Sequence, residues 1–152
     1  DCVYAVKPLS YGGELIENFW LRFAGGRVVE YGAEKNAALL GKILSMDEGA
    51  EYLGECALVP YDSPINNTGI LFYNTLFDEN ACCHLALGRG YSNTVEGFET
   101  MQKGDFAALG VNDSSVHVDF MIGASDLSIT GVTRDGRRVP VFTDGNWSEE
   151  LR

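Results

Sequence analysis

The chain has 152 residues and a formal net charge of −11, and its length fits a single domain. The negative charge opposes binding to nucleic acid or to an anionic membrane. No apolar run approaches the ~20 residues that a membrane-spanning helix needs. Hydrophobic residues make up 45% and charged residues 22% of the chain, which is typical of soluble globular domains and excludes extended disorder.

The first half of the chain predicts a β-hairpin, a helix and two strands. Residues 15–23 and 27–31 are β-prone runs on either side of a Gly-Gly pair, which is typical of a hairpin. Residues 33–46 carry apolar side chains at helical spacing. Residues 56–59 and 69–73 favour short strands, the first of them buried.

The second half predicts little helix and a second hairpin. Residues 81–87 favour one or two helical turns, and residues 116–122 alternate as a strand does. The runs 127–133 and 138–142 flank an Asp-Gly pair, a strong hairpin signal. We therefore expect an α+β domain with a mostly antiparallel sheet, hairpins and a few short helices.

Both histidines of the chain lie beside acidic residues. His117 and Asp119 are two residues apart on a predicted strand, which places them on one face. Their separation of roughly 6.6 Å along the strand suits two ligands of one metal ion. A half-exposed strand with a solvated polar face is the simpler alternative for this segment alone.

A second acidic segment contains Glu79 and His84, which are five residues apart. That spacing does not share a helix face, so both reach one site only if the chain turns between them and His84 then lies on a helix. Asp78 is placed to orient a ligand. The alternative is that Glu79 caps a short helix and His84 is a satisfied polar residue.

Glu55 enters an apolar strand, where a carboxylate is unfavourable unless it is paired or bound to metal. A solvated strand end would also explain it. The two histidines and three carboxylates lie on separate predicted elements, each beside apolar sequence typical of a core. Together they favour a metal site over a set of unrelated polar residues.

At these segments the sequence resembles the thermophilic metalloprotease family, which comprises the aminopeptidase T and aminopeptidase S type of metallo-aminopeptidases. The stretches that carry the resemblance are KPLSYGGELIENF (7–19), DEGAEYLGE (47–55), LVPYDSPI (58–65), LFYNTLFDENACCHLALG (71–88), GVNDSSVHVDFMIG (110–123) and GNW (145–147). They follow the family's order over most of the chain.

The resemblance implies a site made of several residues of this chain. The implied metal ligands are Glu55, Glu79, His84, His117 and Asp119. It further implies catalytic roles for Glu55, as bridging ligand or general base, and for Tyr91, as a hydrogen-bond donor to the oxyanion. A further metal-binding glutamate of the family lies upstream of the KPLSYGG motif, before the first residue of this chain.

The resemblance also implies the nature of the whole enzyme. It predicts a two-metal aminopeptidase that removes N-terminal residues from peptides, with two divalent ions (Zn, Co or Mn) and a homodimeric assembly. Residues 1–152 would be the metal-binding C-terminal domain of that enzyme, and inactive alone if the upstream ligand is essential. Four cysteines without a C-x-x-C pair predict a reduced, cytoplasmic location.

Two other interpretations stay open from the sequence. His84, His117 and Asp119 form a possible two-His-one-carboxylate triad for an Fe(II) oxygenase, which leaves Glu55 and Glu79 without a role. A structural or dimerisation module would instead use exposed aromatic side chains of the first hairpin as a partner surface.

Overall fold

The computed structural model describes residues 1–151, which form antiparallel sheets with short helices between the strands. The strands are β1 (Cys2–Tyr4), β2 (Leu9–Tyr11), β3 (Glu14–Ala24), β4 (Arg27–Lys35), β5 (Leu53–Ala57), β6 (His84–Gly88), β7 (His117–Met121), β8 (Ile129–Val132), β9 (Arg138–Thr143) and β10 (Asn146–Trp147). The α-helices are α1 (Ala37–Leu44), α2 (Pro64–Asn67), α3 (Thr75–Asp78) and α4 (Lys103–Ala108), and short 3-10 turns include Glu48–Glu51 and Glu79–Ala81. The predicted α+β class is confirmed.

Three sheets organise the described residues. The first has the order β1-β3-β2, with β4 also paired to β3; the second is β5-β6-β7, and the third is β10-β9-β8. The main core lies between the first sheet with α1 on one side and one face of the second sheet on the other. The rings of Phe19 and Phe120 meet across this core with centroids 5.7 Å apart.

Both predicted hairpins are present. The β3–β4 turn uses Gly25 and Gly26, both at positive φ, and the β8–β9 connection has Gly136 at φ 83°. The helix predicted over 33–46 begins only at Ala37, because the preceding residues pair with β3 as the end of β4. Asn36, in the left-handed region, separates the strand from the helix.

Three expectations from the sequence are wrong. Residues 81–87 do not form a helix; His84 begins strand β6, whose five residues are all buried, so tertiary burial overrides the helix propensity of Leu and Ala. The strand predicted at 56–59 is β5, in which Cys56 is exposed, and residues 69–73 form no strand.

The first hairpin offers no exposed aromatic surface in its strand β3. Phe19 is only 1% exposed, and Trp20 and Phe23 are partly buried. The aromatic partner surface expected for a dimerisation module is therefore absent from β3. Within residues 1–151 no helix combines the length and the apolar character needed to span a membrane.

Candidate metal centre

One face of the β5-β6-β7 sheet carries most of the polar side chains singled out in the sequence. In the antiparallel register Ala86 lies between Glu55 on β5 and Asp119 on β7. His84 and His117 are each two residues from a member of this row, so their side chains leave the same face. The small side chain of Ala86, fully buried, forms the floor between the four polar groups.

A β-bulge at Gly54 places Glu55 on this face. Leu53 pairs with Leu87, but Glu55 pairs with Ala86, so β5 has one extra residue at this point. Without the extra residue, Glu55 would oppose Leu85 and point toward the core, because a shift of one residue reverses the face. Only glycine fits the bulge, since a Cβ on Gly54 would lie 2.2 Å from the Arg89 carbonyl oxygen.

The polar groups are within a few ångströms of one another. His84 Nε2 lies 3.2 Å from Glu55 Oε1, and His117 Nε2 lies 3.5 Å from Glu55 Oε2. His117 Nε2 is also 3.3 Å from Asp119 Oδ1. Glu55, His84 and Asp119 each offer one ligand atom within 4.8 Å of the other two. Ligand atoms this close can share one ion.

Backbone carbonyls orient both imidazole rings. His84 Nδ1 lies 3.3 Å from the carbonyl oxygen of Cys82, and His117 Nδ1 lies 2.7 Å from that of Arg89. Because a carbonyl oxygen only accepts, each Nδ1 carries the hydrogen of the neutral ring. Each Nε2 then presents a lone pair toward the carboxylates, the usual arrangement of a metal-binding histidine.

Asp119 provides the test of whether a cation fits here. Its Oδ1 is buried and has no hydrogen-bond partner, although His117 Nε2 is nearby. With the lone pair on Nε2, that 3.3 Å contact joins two acceptors, which repel unless a cation lies between them. In residues 1–151 no lysine or arginine pairs with Glu55, Glu79 or Asp119. The donor set therefore fits a divalent metal ion.

Glu79 joins the cluster from a separate element. It follows α3 in a 3-10 turn, so the chain does turn between Glu79 and His84 as the spacing required. Burial raises the pKa of Glu79, and so does the negative charge of Asp119 beside it. A divalent cation bound beside the two carboxylates would offset this repulsion.

Asp78 does not contact a candidate ligand, contrary to the role suggested for it. Its buried carboxylate accepts hydrogen bonds from the backbone N–H groups of Phe72, at 2.8 Å, and Asn74, at 3.0 Å. These bonds hold the loop that leads into α3, with Tyr73 between them at φ 58°. Asp78 thus stabilises the segment that carries Glu79.

Tyr91 lies beside the cluster, three residues after β6. Its ring centroid is 4.7 Å from that of His117, and the side chain is 48% exposed. Tyr91 therefore packs against a candidate ligand and remains accessible to solvent.

Comparison with known proteins identifies the family of the chain. Residues 2–147 match the family described as thermophilic metalloprotease (M29). The chain belongs to the M29 family. It is 54% identical over 146 residues to aminopeptidase AmpS of Bacillus subtilis, and 48% identical over 145 residues to aminopeptidase T of Thermus aquaticus.

The similarity extends to a solved M29 structure. Wild-type AmpT from Thermus thermophilus superposes with a TM-score of 0.88 at 46% identity, covering 96% of this chain. The matches cover 96% and 95% of this chain but only 36% and 35% of the two relatives. The chain therefore spans about a third of the length of these M29 proteins.

Some groups that shape the site are not among the residues predicted from the sequence. Gly54 provides the bulge, and the carbonyl groups of Cys82 and Arg89 orient the histidines. A carbonyl is common to every residue, so its role depends entirely on tertiary placement. The glycine next to Glu55 was the one available clue, because an isolated glycine inside a strand suggests a bulge.

Proposed function

We propose that residues 1–152 are the metal-binding C-terminal domain of a two-metal aminopeptidase, which removes N-terminal residues from peptides. The observation that carries this proposal is the buried, unpaired Asp119 Oδ1 facing the lone pair of His117. Membership of the M29 family supports metal-dependent peptide hydrolysis. The names of the similar aminopeptidases support the exopeptidase activity.

Five side chains are proposed as metal ligands: Glu55, Glu79, His84, His117 and Asp119. A catalytic zinc site commonly takes three protein ligands and a water, so five donors exceed the needs of one ion and support two. His84, His117 and Asp119 would hold one ion, and Glu79 with Glu55 as a bridge would contribute to the other. Mixed nitrogen and oxygen donors suit Zn, Co or Mn. The further glutamate ligand of the family would come from outside this chain.

The chain's own residues have distinct tasks in the proposed reaction. Divalent ions bound here supply Lewis-acid activation of the attacking water and of the scissile carbonyl. Glu55, whose side chain is 31% exposed, is assigned either as the bridging ligand or as the general base, which would take the proton from that water and deliver it to the leaving amine. Tyr91 donates its hydroxyl hydrogen to the oxyanion that develops on the substrate carbonyl.

The names of the similar aminopeptidases support a substrate with a free amino terminus. Glu55, Glu79 and Asp119 place acidic groups together with no lysine or arginine paired to them in residues 1–151. These carboxylates offset the positive charge of the divalent ions. Homodimeric assembly and a cytoplasmic location remain predictions from the family resemblance and the cysteine content.

The contacts of Glu55 favour this function over an Fe(II) oxygenase. A two-His-one-carboxylate triad uses only His84, His117 and Asp119 and needs open positions around the ion. Glu55 instead approaches both imidazoles, at 3.2 and 3.5 Å, and occupies that space.

The proposal is tested by assaying the full-length protein that contains this chain beside the 152-residue chain alone. We expect the full-length protein with Co²⁺ to release leucine from leucine p-nitroanilide and to lose this activity when a chelator is added. We expect it not to cleave N-acetyl-leucine p-nitroanilide. We expect the 152-residue chain to bind metal more weakly and to hydrolyse poorly. Chelator-resistant activity, equal cleavage of the acetylated substrate, or equal activity of both proteins would contradict the proposal.

A further inference from the structure

The carbonyl group that orients His117 belongs to a turn that the neighbouring loop holds in place. Arg89 accepts the hydrogen bond from His117 Nδ1, and its own N–H donates to Val116 O at 2.7 Å. The next N–H, of Gly90, donates to the backbone oxygen of Asn112 at 2.9 Å. The turn after β6 is thus fixed against the segment that precedes β7.

The side chain of Asn112 extends this connection to a third segment. Its Nδ2 donates to Gly88 O at 2.6 Å and to Gly49 O at 2.7 Å. Gly88 ends β6 beside Arg89, and Gly49 lies in the 3-10 turn Glu48–Glu51 that leads into β5. One amide group with two hydrogens therefore joins the three chain segments that carry Glu55, the Arg89 carbonyl and His117.

The segments that this link joins meet so closely that positions 49 and 88 accept only glycine. A Cβ on Gly49 would lie 2.0 Å from Asp113 O, and a Cβ on Gly88 would lie 2.2 Å from Val116 O. Asparagine at 112 supplies two donors on one short side chain. Aspartate has the same shape but no donor, and it would direct negative oxygens at two carbonyl oxygens.

We infer that Asn112 is a positioning residue for the metal centre: by holding the Gly88–Gly90 turn, it keeps the Arg89 carbonyl on His117 Nδ1. His117 Nε2 then retains the lone pair that faces Glu55 and Asp119. This inference rests on the proposed metal-binding function, and its first measurement needs no metal. A residue that only stabilised the loop would leave the histidine tautomer unchanged.

The tautomer of His117 can be read directly from nitrogen chemical shifts, because the chain has only two histidines. Long-range ¹H–¹⁵N spectra of the metal-free chain, recorded in mildly alkaline solution at about pH 8.5, show which ring nitrogen carries the hydrogen. We expect wild-type His117 to carry its hydrogen on Nδ1. In Asn112→Asp, and in the milder Asn112→Ala, we expect population to move to the Nε2–H tautomer.

The matched control is Asn36→Asp. Asn36 Nδ2 also donates to a backbone carbonyl, that of Leu15 at 2.7 Å, but Asn36 precedes α1 and does not contact the metal cluster. We expect this variant to lose thermal stability and to keep the His117 tautomer. If folded Asn112→Asp and Asn112→Ala both keep the wild-type tautomer, the positioning role is wrong.

Cobalt titration of the full-length protein with the same substitutions separates this inference from the proposed function. We expect the Kd for Co²⁺, followed by visible absorption, to rise about 10–100-fold in the Asn112 variants and to stay unchanged in Asn36→Asp. A tautomer shift in variants of a wild-type protein that binds no Co²⁺ would support the positioning contact and overturn the metal site. Unchanged Co²⁺ affinity in the Asn112 variants would overturn the positioning role and leave the metal site intact.

Discussion

The two faces of the β5-β6-β7 sheet both carry buried side chains but are chemically opposite. On the core face Leu87, Val118 and Phe120 are 1–4% exposed and pack against apolar neighbours. On the other face His84 and Asp119 are 5% and 6% exposed, yet Asp119 has an oxygen without a hydrogen bond. Burial alone therefore does not distinguish a structural side chain from a functional one. The distinguishing property is whether each buried polar group has a hydrogen-bond partner within the chain.

The largest expected effect comes from removing a ligand on the polar face. His117→Ala should lower aminopeptidase activity of the full-length protein by at least about 100-fold, since even loss of an outer partner of a metal ligand causes 10–100-fold losses. The side chain is 18% exposed and contributes little to the apolar core, so the melting temperature should change little. Turnover and thermal unfolding are measured together. Retained activity would show that His117 is not a ligand.

The neighbouring residue on the core face should give the opposite result. Val118→Ala removes methyl groups from a site that is 4% exposed, so the free energy of unfolding should fall by about 1–3 kcal/mol. Activity per folded molecule should be largely kept, because the side chain points away from the metal cluster. Denaturant unfolding and turnover at low temperature check this. Loss of turnover without loss of stability would mean that the faces are assigned the wrong way round.

Asp119→Asn should weaken metal binding and stabilise the metal-free protein. The substitution removes a buried negative charge beside Glu79 and provides an amide that can donate to it. The free energy of unfolding should therefore rise, by about 1 kcal/mol, the lower end of the penalty for an unsatisfied buried group. Co²⁺ affinity should fall. The control is Asp126→Asn at an exposed position, which should change neither quantity. A destabilised Asp119→Asn variant would show that the carboxylate is already satisfied.

The smallest effect concerns a carboxylate outside the metal cluster, whose hydrogen bonds are complete. Asp47 accepts hydrogen bonds from Ser115 N at 2.7 Å, Ser114 Oγ at 2.8 Å and Ala50 N at 2.9 Å. The bonds from Ser115 and Ser114 hold the pKa of Asp47 well below its usual 3.8. This contribution to stability is complete above the unfolded-state pKa and is lost as the pH falls through the folded-state pKa.

Asp47→Asn therefore tests a carboxylate that has its hydrogen bonds, for comparison with Asp119, whose Oδ1 has none. Because the variant cannot titrate at this position, its melting temperature should fall less than that of the wild type between about pH 5 and pH 2. The other carboxylates are common to both proteins, so the difference between the two curves reports on Asp47 and on its effect on nearby Asp113. Parallel curves would show that the serine contacts do not form.

The sequence was sufficient wherever strand periodicity alone determines the direction of a side chain. The alternation of residues 116–122 predicts that His117 and Val118 point to opposite faces of the sheet, and strand β7 has this arrangement. The helix expected around His84 is wrong, because the sheet on both sides of β6 outweighs local propensity. The direction of Glu55 depends on a bulge at Gly54, which in turn follows from contact with the distant Arg89 carbonyl. The residues next to Glu55 in the sequence do not indicate that contact.

The most direct test of the metal centre is the position of a bound ion. Crystals of the full-length protein grown with Co²⁺ would be measured at the cobalt absorption edge, and anomalous difference maps would show each ion. We predict a peak about 2.0–2.2 Å from His84 Nε2, His117 Nε2 and an Asp119 oxygen, with a second peak that Glu55 bridges to the first. An active crystalline enzyme whose cobalt peaks lie away from these side chains would contradict the assignment.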